Sequence, residues 1–149
     1  MKIAISRITA DKINVVYQFI KQFPLDYPNY DGWVKKCKRE LRQGIKTGFY
    51  VYVDGKTAGA IIFQTHKQNP AVIEIKNFRV ADEYQGKGIG SRLYEQTENY
   101  SRERKFSAIQ VDSHNPKIIR FFKAKGFKIK ERKPLYKKGR LETILIMEI

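Results

Sequence analysis

Asp82 to Tyr100 reads DEYQGKGIGSRLYEQTENY, with glycine at alternate positions 86, 88 and 90 directly ahead of a helical pattern. Inside a helix, glycine is worse than alanine by about 1 kcal/mol. Three of them where a helix starts therefore point to backbone that something must touch. A helix start leaves several N–H groups without partners and carries partial positive charge. Glycines remove the Cβ atoms that would hold a phosphate away. The strand ahead of them, Ala71–Val80, delivers this turn to one edge of a sheet. Strand, glycine turn and helix start together make an anion site suited to a phosphate or pyrophosphate. It is not a Walker loop, because no Gly-Lys-Ser/Thr follows the required gap, nor a dinucleotide fingerprint, which needs glycine where Ser91 stands.

Outward from this stretch the chain reads as alternating elements. Ile3–Arg7 is a strand, and Thr9 can cap a helix from about Ala10 to Phe23. FPLDYPNYDGW is a loop, and Gly32–Gln43 a second helix stopped by Gly44. Phe49–Val53 and Thr57–Thr65 form a hairpin through Asp54-Gly55-Lys56. After strand Ala71–Val80 come a helix over about Gly88–Arg104, a strand over Phe106–Asp112 and a helix over Pro116–Lys125. Two strands close the chain, Phe127–Arg132 and Leu141–Glu148, turning at Lys138-Gly139. The order β α α β β β α β α β β mixes hairpins with strand–helix–strand units. It predicts an α/β (mixed α+β) fold: a twisted mixed sheet of six or seven strands with four helices on both faces. No repeat or linker interrupts the chain, so one domain spanning 1–149 is expected.

Composition narrows the class. The 149 residues are 42% hydrophobic and 30% charged, as in a globular protein with a real core. Cys37 is the only cysteine, so no disulfide forms within the chain, and it reads as a half-buried helix residue. His66 and His114 lie far apart without a cysteine pattern, so no metal site is expected. The start MKIAISRITADK alternates instead of forming a signal-peptide core, and no apolar run approaches the roughly 20 residues of a membrane helix. A cytoplasmic protein is expected. The net charge is +15, and Lys117–Arg140 holds eleven Lys or Arg against one acid, Glu131. Such a surface attracts nucleic acid or a phosphorylated cofactor, or is simply a solvated basic face.

Gln85-Gly86-Lys87-Gly88-Ile89-Gly90 fits Q/R-x-x-G-x-G/A, and in this it resembles the acyl-CoA pyrophosphate loop of the GNAT superfamily of N-acetyltransferases. Asn115, Phe121, Gly126 and Phe127 fit that family's N-x-x-A-x-x-F-Y-x-x-x-G-F helix without a gap. The order of elements is similar too, so the resemblance covers nearly the whole chain.

The resemblance implies direct acetyl transfer from acetyl-CoA to a primary amine: a small amine, a peptide N-terminus or a lysine. By position, Phe78, Arg79 and Val80 would offer backbone to the pantetheine arm. Gln85, Gly86, Lys87, Gly88, Ile89, Gly90 and Ser91 would hold the pyrophosphate. Asn115 would touch the cofactor or cap its helix. The N–H of Phe78 would stabilise the developing oxyanion. Glu74, an acid between Ile73 and Ile75, matches a general base used by some members, and burial would suit it to that task; the alternative is a partner for Lys76. Phe122 and Ile118 depart from the family pattern. The family usually has tyrosine at position 122, often as the acid for the thiolate, which leaves Tyr136 or His114 as substitutes, or water. The acceptor would lie between FPLDYPNYDGW and KPLYKKGR, where Asp26 or Asp31 could hold an amine and Tyr27, Tyr30 and Trp33 could line a pocket. Two other readings stay open. One is an RNA- or ribosome-directed acetyltransferase or nucleic-acid-binding module using the basic C-terminal third. The other is an acyl-CoA sensor without catalysis. The oligomeric state is open, a homodimer included.

Overall fold

The computed structural model describes residues 1–149 throughout. Its elements are β1 (Ile3–Arg7), α1 (Ile13–Gln22), α2 (Tyr30–Arg42), β2 (Lys46–Val53), β3 (Lys56–Thr65), β4 (Val72–Val80), α3 (Ile89–Glu103), β5 (Ala108–Ser113), α4 (Pro116–Ala124), β6 (Lys128–Lys137) and β7 (Arg140–Glu148). Short 3₁₀ turns at Ala10–Lys12 and Asp82–Tyr84 lead toward α1 and the glycine stretch. Seven strands form one sheet in the order β1-β2-β3-β4-β5-β7-β6, antiparallel except for the β4–β5 pair. The expected order and helix count hold. No helix is long and apolar enough to cross a membrane.

The sheet is buried on both faces, which is why β3 reads as the near-continuous apolar run AGAIIF. Ile61 and Phe63 join one core with Leu93 and Tyr94 of α3 and Phe122 of α4. Ala60 and Ile62 join the other, with Val16 and Ile20 of α1 and Val34 and Cys37 of α2. Cys37 is 1% exposed rather than half-buried, and burial pushes its thiol up to about 12, so it is an inert core residue.

Three local expectations are corrected. Thr9 does not cap a helix; its hydroxyl donates to Asp11 Oδ1 at 2.5 Å, and a 3₁₀ turn intervenes before α1. β2 begins at Lys46, not Phe49: Lys46 to Gly48 pair with Gln64 to Ile62 of β3, and the Lys46 ammonium is buried there against Glu40 Oε1 at 2.9 Å. β6 runs on to Lys137 through Pro134, which an edge strand tolerates because it needs no donor on its open side.

One buried chain of polar groups ties both N-terminal helices to β4. The carbonyl of Ile20 would accept from residue 24 in a continued helix, but residue 24 is proline and has no N–H. Tyr30 Oη donates to that carbonyl instead, at 2.9 Å. Its oxygen then accepts from Asn77 Nδ2 at 3.1 Å. Tyr30 is therefore a structural pin, and Trp33 stacks on it at 5.8 Å between centroids rather than lining a pocket.

Candidate active site

The site exists because two parallel strands part company. β4 and β5 pair only from Val72–Ala108 to Ile75–Val111. Beyond that point β4 carries a bulge: Ile62 faces Asn77 and Phe63 faces Ile75, leaving Lys76 as the extra residue. β5 continues against β7 alone. The gap is a cleft of about 730 Å³ running from the glycine stretch to the α1–α2 connection.

Most of the residues expected to meet the cofactor fall along one end of the cleft. Phe78, Arg79, Val80, Gln85, Gly86, Gly88, Ile89, Gly90, Ser91 and Asn115 all line the cleft, and Lys87 does not. Gly86 and Gly88 hold φ of +76° and +77°, and a Cβ at either would meet nothing within 4 Å. Gly88 is the N-cap of α3 with no side-chain cap, and the first backbone bond of the helix runs from Arg92 N–H to Gly88 O. The amides of Ile89, Gly90 and Ser91 precede that bond and have no partner within the helix.

Strand alternation decides which backbone groups of β4 face the gap. Ala81 N–H donates to Ala58 O across β3. Val80 and Phe78 therefore turn their main-chain groups to the open side. The Val80 carbonyl is already taken there, by Arg79 Nη1 at 2.6 Å and Gln85 Nε2 at 3.0 Å. Arg79 and Gln85 both also reach Asp82 Oδ1, so their side chains brace the loop. Asn115 caps α4, its Oδ1 accepting from Lys117 N–H at 2.9 Å, with Pro116 at the first helical position. Phe122 is 0% exposed among Phe78, Tyr94 and Phe127, while Phe121 and Ile118 line the cleft.

The opposite end holds a residue that the sequence reading passed over. Asp112 lines the cleft just past the last β4–β5 pair, and its Oδ2 accepts from Tyr136 Oη at 2.9 Å. Burial pushes its carboxyl up to about 6; the Tyr136 bond and Lys76 work against that rise, and the charges of Glu74 and Glu142 add to it. Tyr136 is 40% exposed, but its hydroxyl end is turned in. Desolvation first, and the charge of Asp112 next, hold its proton far more firmly than an ordinary phenol does. Tyr27 packs edge-on to the Tyr136 ring at 4.8 Å between centroids.

Glu74 sits one pleat deeper, opposite Gln64 and Gln110, outside the cleft lining, with Lys76 Nζ 3.7 Å from its Oε1. Of the loop candidates, Asp26 and Tyr27 line the cleft, while Asp31 lies in the first turn of α2 away from it. His114 lines it too, between Asp26 and Glu142. An acid closing the buried strand AIQVDS was the available signal for Asp112, equivalent in kind to the one read at Glu74.

A mixed sheet opened between parallel β4 and β5, with a glycine cradle at one end of the gap, is the GNAT fold. The chain belongs to the acetyltransferase (GNAT) family, whose model matches residues 14–127. Comparison with curated protein sequences finds no match. Among solved structures, it is similar to a protein of Desulfovibrio desulfuricans assigned to the same family, at 16% identity and TM-score 0.84, with 99% of each chain covered. It is similar to the ribosomal-protein-S18-alanine N-acetyltransferase of Escherichia coli, at 19% identity and TM-score 0.76, over 99% of this chain and 94% of that one. A third is the PaiA N-acetyltransferase of Thermoplasma acidophilum in complex with coenzyme A, at 15% identity and TM-score 0.75, with 100% of each chain covered.

Proposed function

We propose that the chain, acting as one domain, moves an acetyl group from acetyl-CoA directly to a primary amine. The observation that carries this reading is one cleft with the left-handed glycine turn and the unpartnered amides of α3 at one end and the Asp112 carboxyl at the other. The amides of Ile89, Gly90 and Ser91 suit the pyrophosphate. The open-side groups of β4 suit the pantetheine arm, less the Val80 carbonyl, which is occupied. Phe78 N–H faces the gap as the oxyanion donor.

In this reaction the amine nitrogen forms the new C–N bond and the C–S bond breaks. The amine must shed a proton to attack, and Asp112, directly or through water, is the group placed to take it. A base of pKa about 6 is ionised at neutral pH and still accepts a proton. Glu74, the base expected from sequence, then acts on Asp112 through its charge. Tyr136 gives its hydrogen bond to Asp112, so the thiolate leaves with a proton from water; Phe122 has none to give. Small amines, peptide N-termini and lysines all remain in the acceptor class. Calorimetry should show saturable acetyl-CoA binding. A panel of amines, peptides and aminoacyl-tRNA should release CoA thiol above background with at least one acceptor. Saturable binding with no release from any acceptor would instead favour a silent acyl-CoA sensor, and no binding would end both readings.

A second reading has its own observation. β6 is an edge strand exposed along nearly its whole length, carrying Lys128, Lys130, Arg132, Lys133 and Lys137 against Glu131 alone. An RNA-directed enzyme or binding module would use this face. A short RNA oligomer should then bind at low salt, with log K falling steeply against log salt. Absence of binding at low salt removes the reading.

A further inference from the structure

Four polar side chains from three distant parts of the chain, Asp26, His114, Arg140 and Glu142, close a ring beside the acceptor end. Glu142 of β7 is 0% exposed, and a carboxylate so buried needs donors. It has two: Arg140 Nε at 3.2 Å and His114 Nδ1 at 3.2 Å. Both partners reach onward to the same loop residue. Arg140 Nη1 meets Asp26 Oδ2 at 3.2 Å and Nη2 meets the Asp26 carbonyl at 3.0 Å. His114 Nε2 lies 3.4 Å from that same Oδ2.

Asp26 itself is a surface residue, with 76% of its side chain exposed. Its connection, from Phe23 to Asn29, has only local backbone bonds: Phe23 N–H to Phe19 O, Tyr27 N–H to Leu25 O and Trp33 N–H to Asn29 O. The polar tie from this connection to the last hairpin therefore runs through Asp26. The next residue, Tyr27, packs edge-on to both Tyr136 and His114. Tyr136 in turn holds Asp112.

We propose that Asp26, His114, Arg140 and Glu142 form a latch that clamps the α1–α2 connection onto the β6–β7 hairpin and thereby positions Tyr27 and Tyr136 over Asp112. None of the four handles the reacting atoms; they are positioning residues acting through the two tyrosines. The buried half of the ring, Glu142 with Arg140, is fixed by its desolvation: separating it would strand a charge. The exposed half, Asp26, is the end that can let go. When it is held, Asp112 stays shielded from water and the acceptor must pass the tyrosine pair. When it is released, the connection lifts and water reaches the carboxylate. The latch rests on the reading of this cleft as the reaction site, but its test needs no acetyl-CoA, so the two fail separately.

The test is Asp26→Asn in the full chain, which leaves the buried Arg140–Glu142 pair intact. Two quantities are measured: hydrogen exchange of the Tyr27 amide, the hydrogen-bonded donor of the connection, and the titration midpoint of the Asp112 carboxyl carbon by NMR. Loss of the Asp26 charge lowers the midpoint directly as well, so a substitution that changes no net charge is needed to separate hydration from charge. Exchange should rise by roughly tenfold, and the midpoint should fall from about 6 toward the ordinary aspartate value. Arg140→Lys, which keeps the charge but loses the fork that grips Asp26, should move both in the same direction. Unchanged exchange in Asp26→Asn overturns the latch. Faster exchange with the midpoint still near 6 also overturns it, because the clamp would then hold the loop without governing Asp112.

Discussion

Asp112→Asn should lower kcat/KM for acetyl transfer by about 10²–10⁴-fold, the usual worth of a positioned proton acceptor, with acetyl-CoA affinity unchanged. The parent's kcat/KM should rise with pH through about 6 and then level, tracking ionisation of this carboxyl. The same residue carries a stability signature of the opposite sign. Its folded pKa lies above its ordinary value of 3.8, so between those two pH values the folded state holds a proton that the unfolded state releases. Stability therefore falls as pH rises from about 4 to about 6, and the deficit, about 3 kcal/mol, persists above. The asparagine variant should accordingly be more stable than the parent at pH 8 and nearly equal to it at pH 4, as urea unfolding would show. An inactive variant that is also less stable at pH 8 would mean that Asp112 is a structural anchor. Glu74→Gln separates the two carboxylates. It removes a charge that raises Asp112, so the acid limb of the profile should shift to lower pH. Loss of activity at every pH would instead return the base to Glu74.

The second large effect is expected at Gly88. Its φ of +77° is left-handed, and a Cβ there would meet no protein atom within 4 Å, so a side chain would project into open space at the start of α3, where the proposed pyrophosphate would lie. Valine at this position costs the fold about 1–2 kcal/mol of backbone strain. It costs binding far more, because a branched side chain in the cradle separates the phosphates from the α3 amides. Hydrogen bonds to charged groups contribute about 1.5–3 kcal/mol each, so losing two weakens acetyl-CoA binding by about 10²–10⁴-fold. Gly55→Val is the matched control: its φ is +82° and its Cβ would also meet nothing, but it lies in the β2–β3 turn. It should show similar destabilisation with normal affinity. Gly88→Val that binds acetyl-CoA as tightly as Gly55→Val, by calorimetry, would remove the pyrophosphate from this loop.

Much of the fold was legible because its determinants are local. Glycines at 86 and 88 mark left-handed backbone, Asn115-Pro116 marks a capped helix start, and the apolar run in β3 marks a strand covered on both faces. Each is a short-range steric or hydrogen-bonding preference, readable within a few residues. The limits of β2 and β6 were not, since Lys46 is held by its partner Glu40 and Pro134 is tolerated by the absence of a neighbour.

The sequence by itself determined the order of elements and the left-handed glycine turn at the start of α3. Tertiary structure alone decided which carboxylate fronts the gap. Glu74 and Asp112 are both acids in apolar strands, and only the register at which β4 leaves β5 puts the first behind the last pair and the second in front of it. It alone brought Asp26 against Arg140, 114 positions away, around a buried Glu142. A charge-assisted bond depends on where two chains cross in space, and no pattern of neighbours along the chain encodes that crossing.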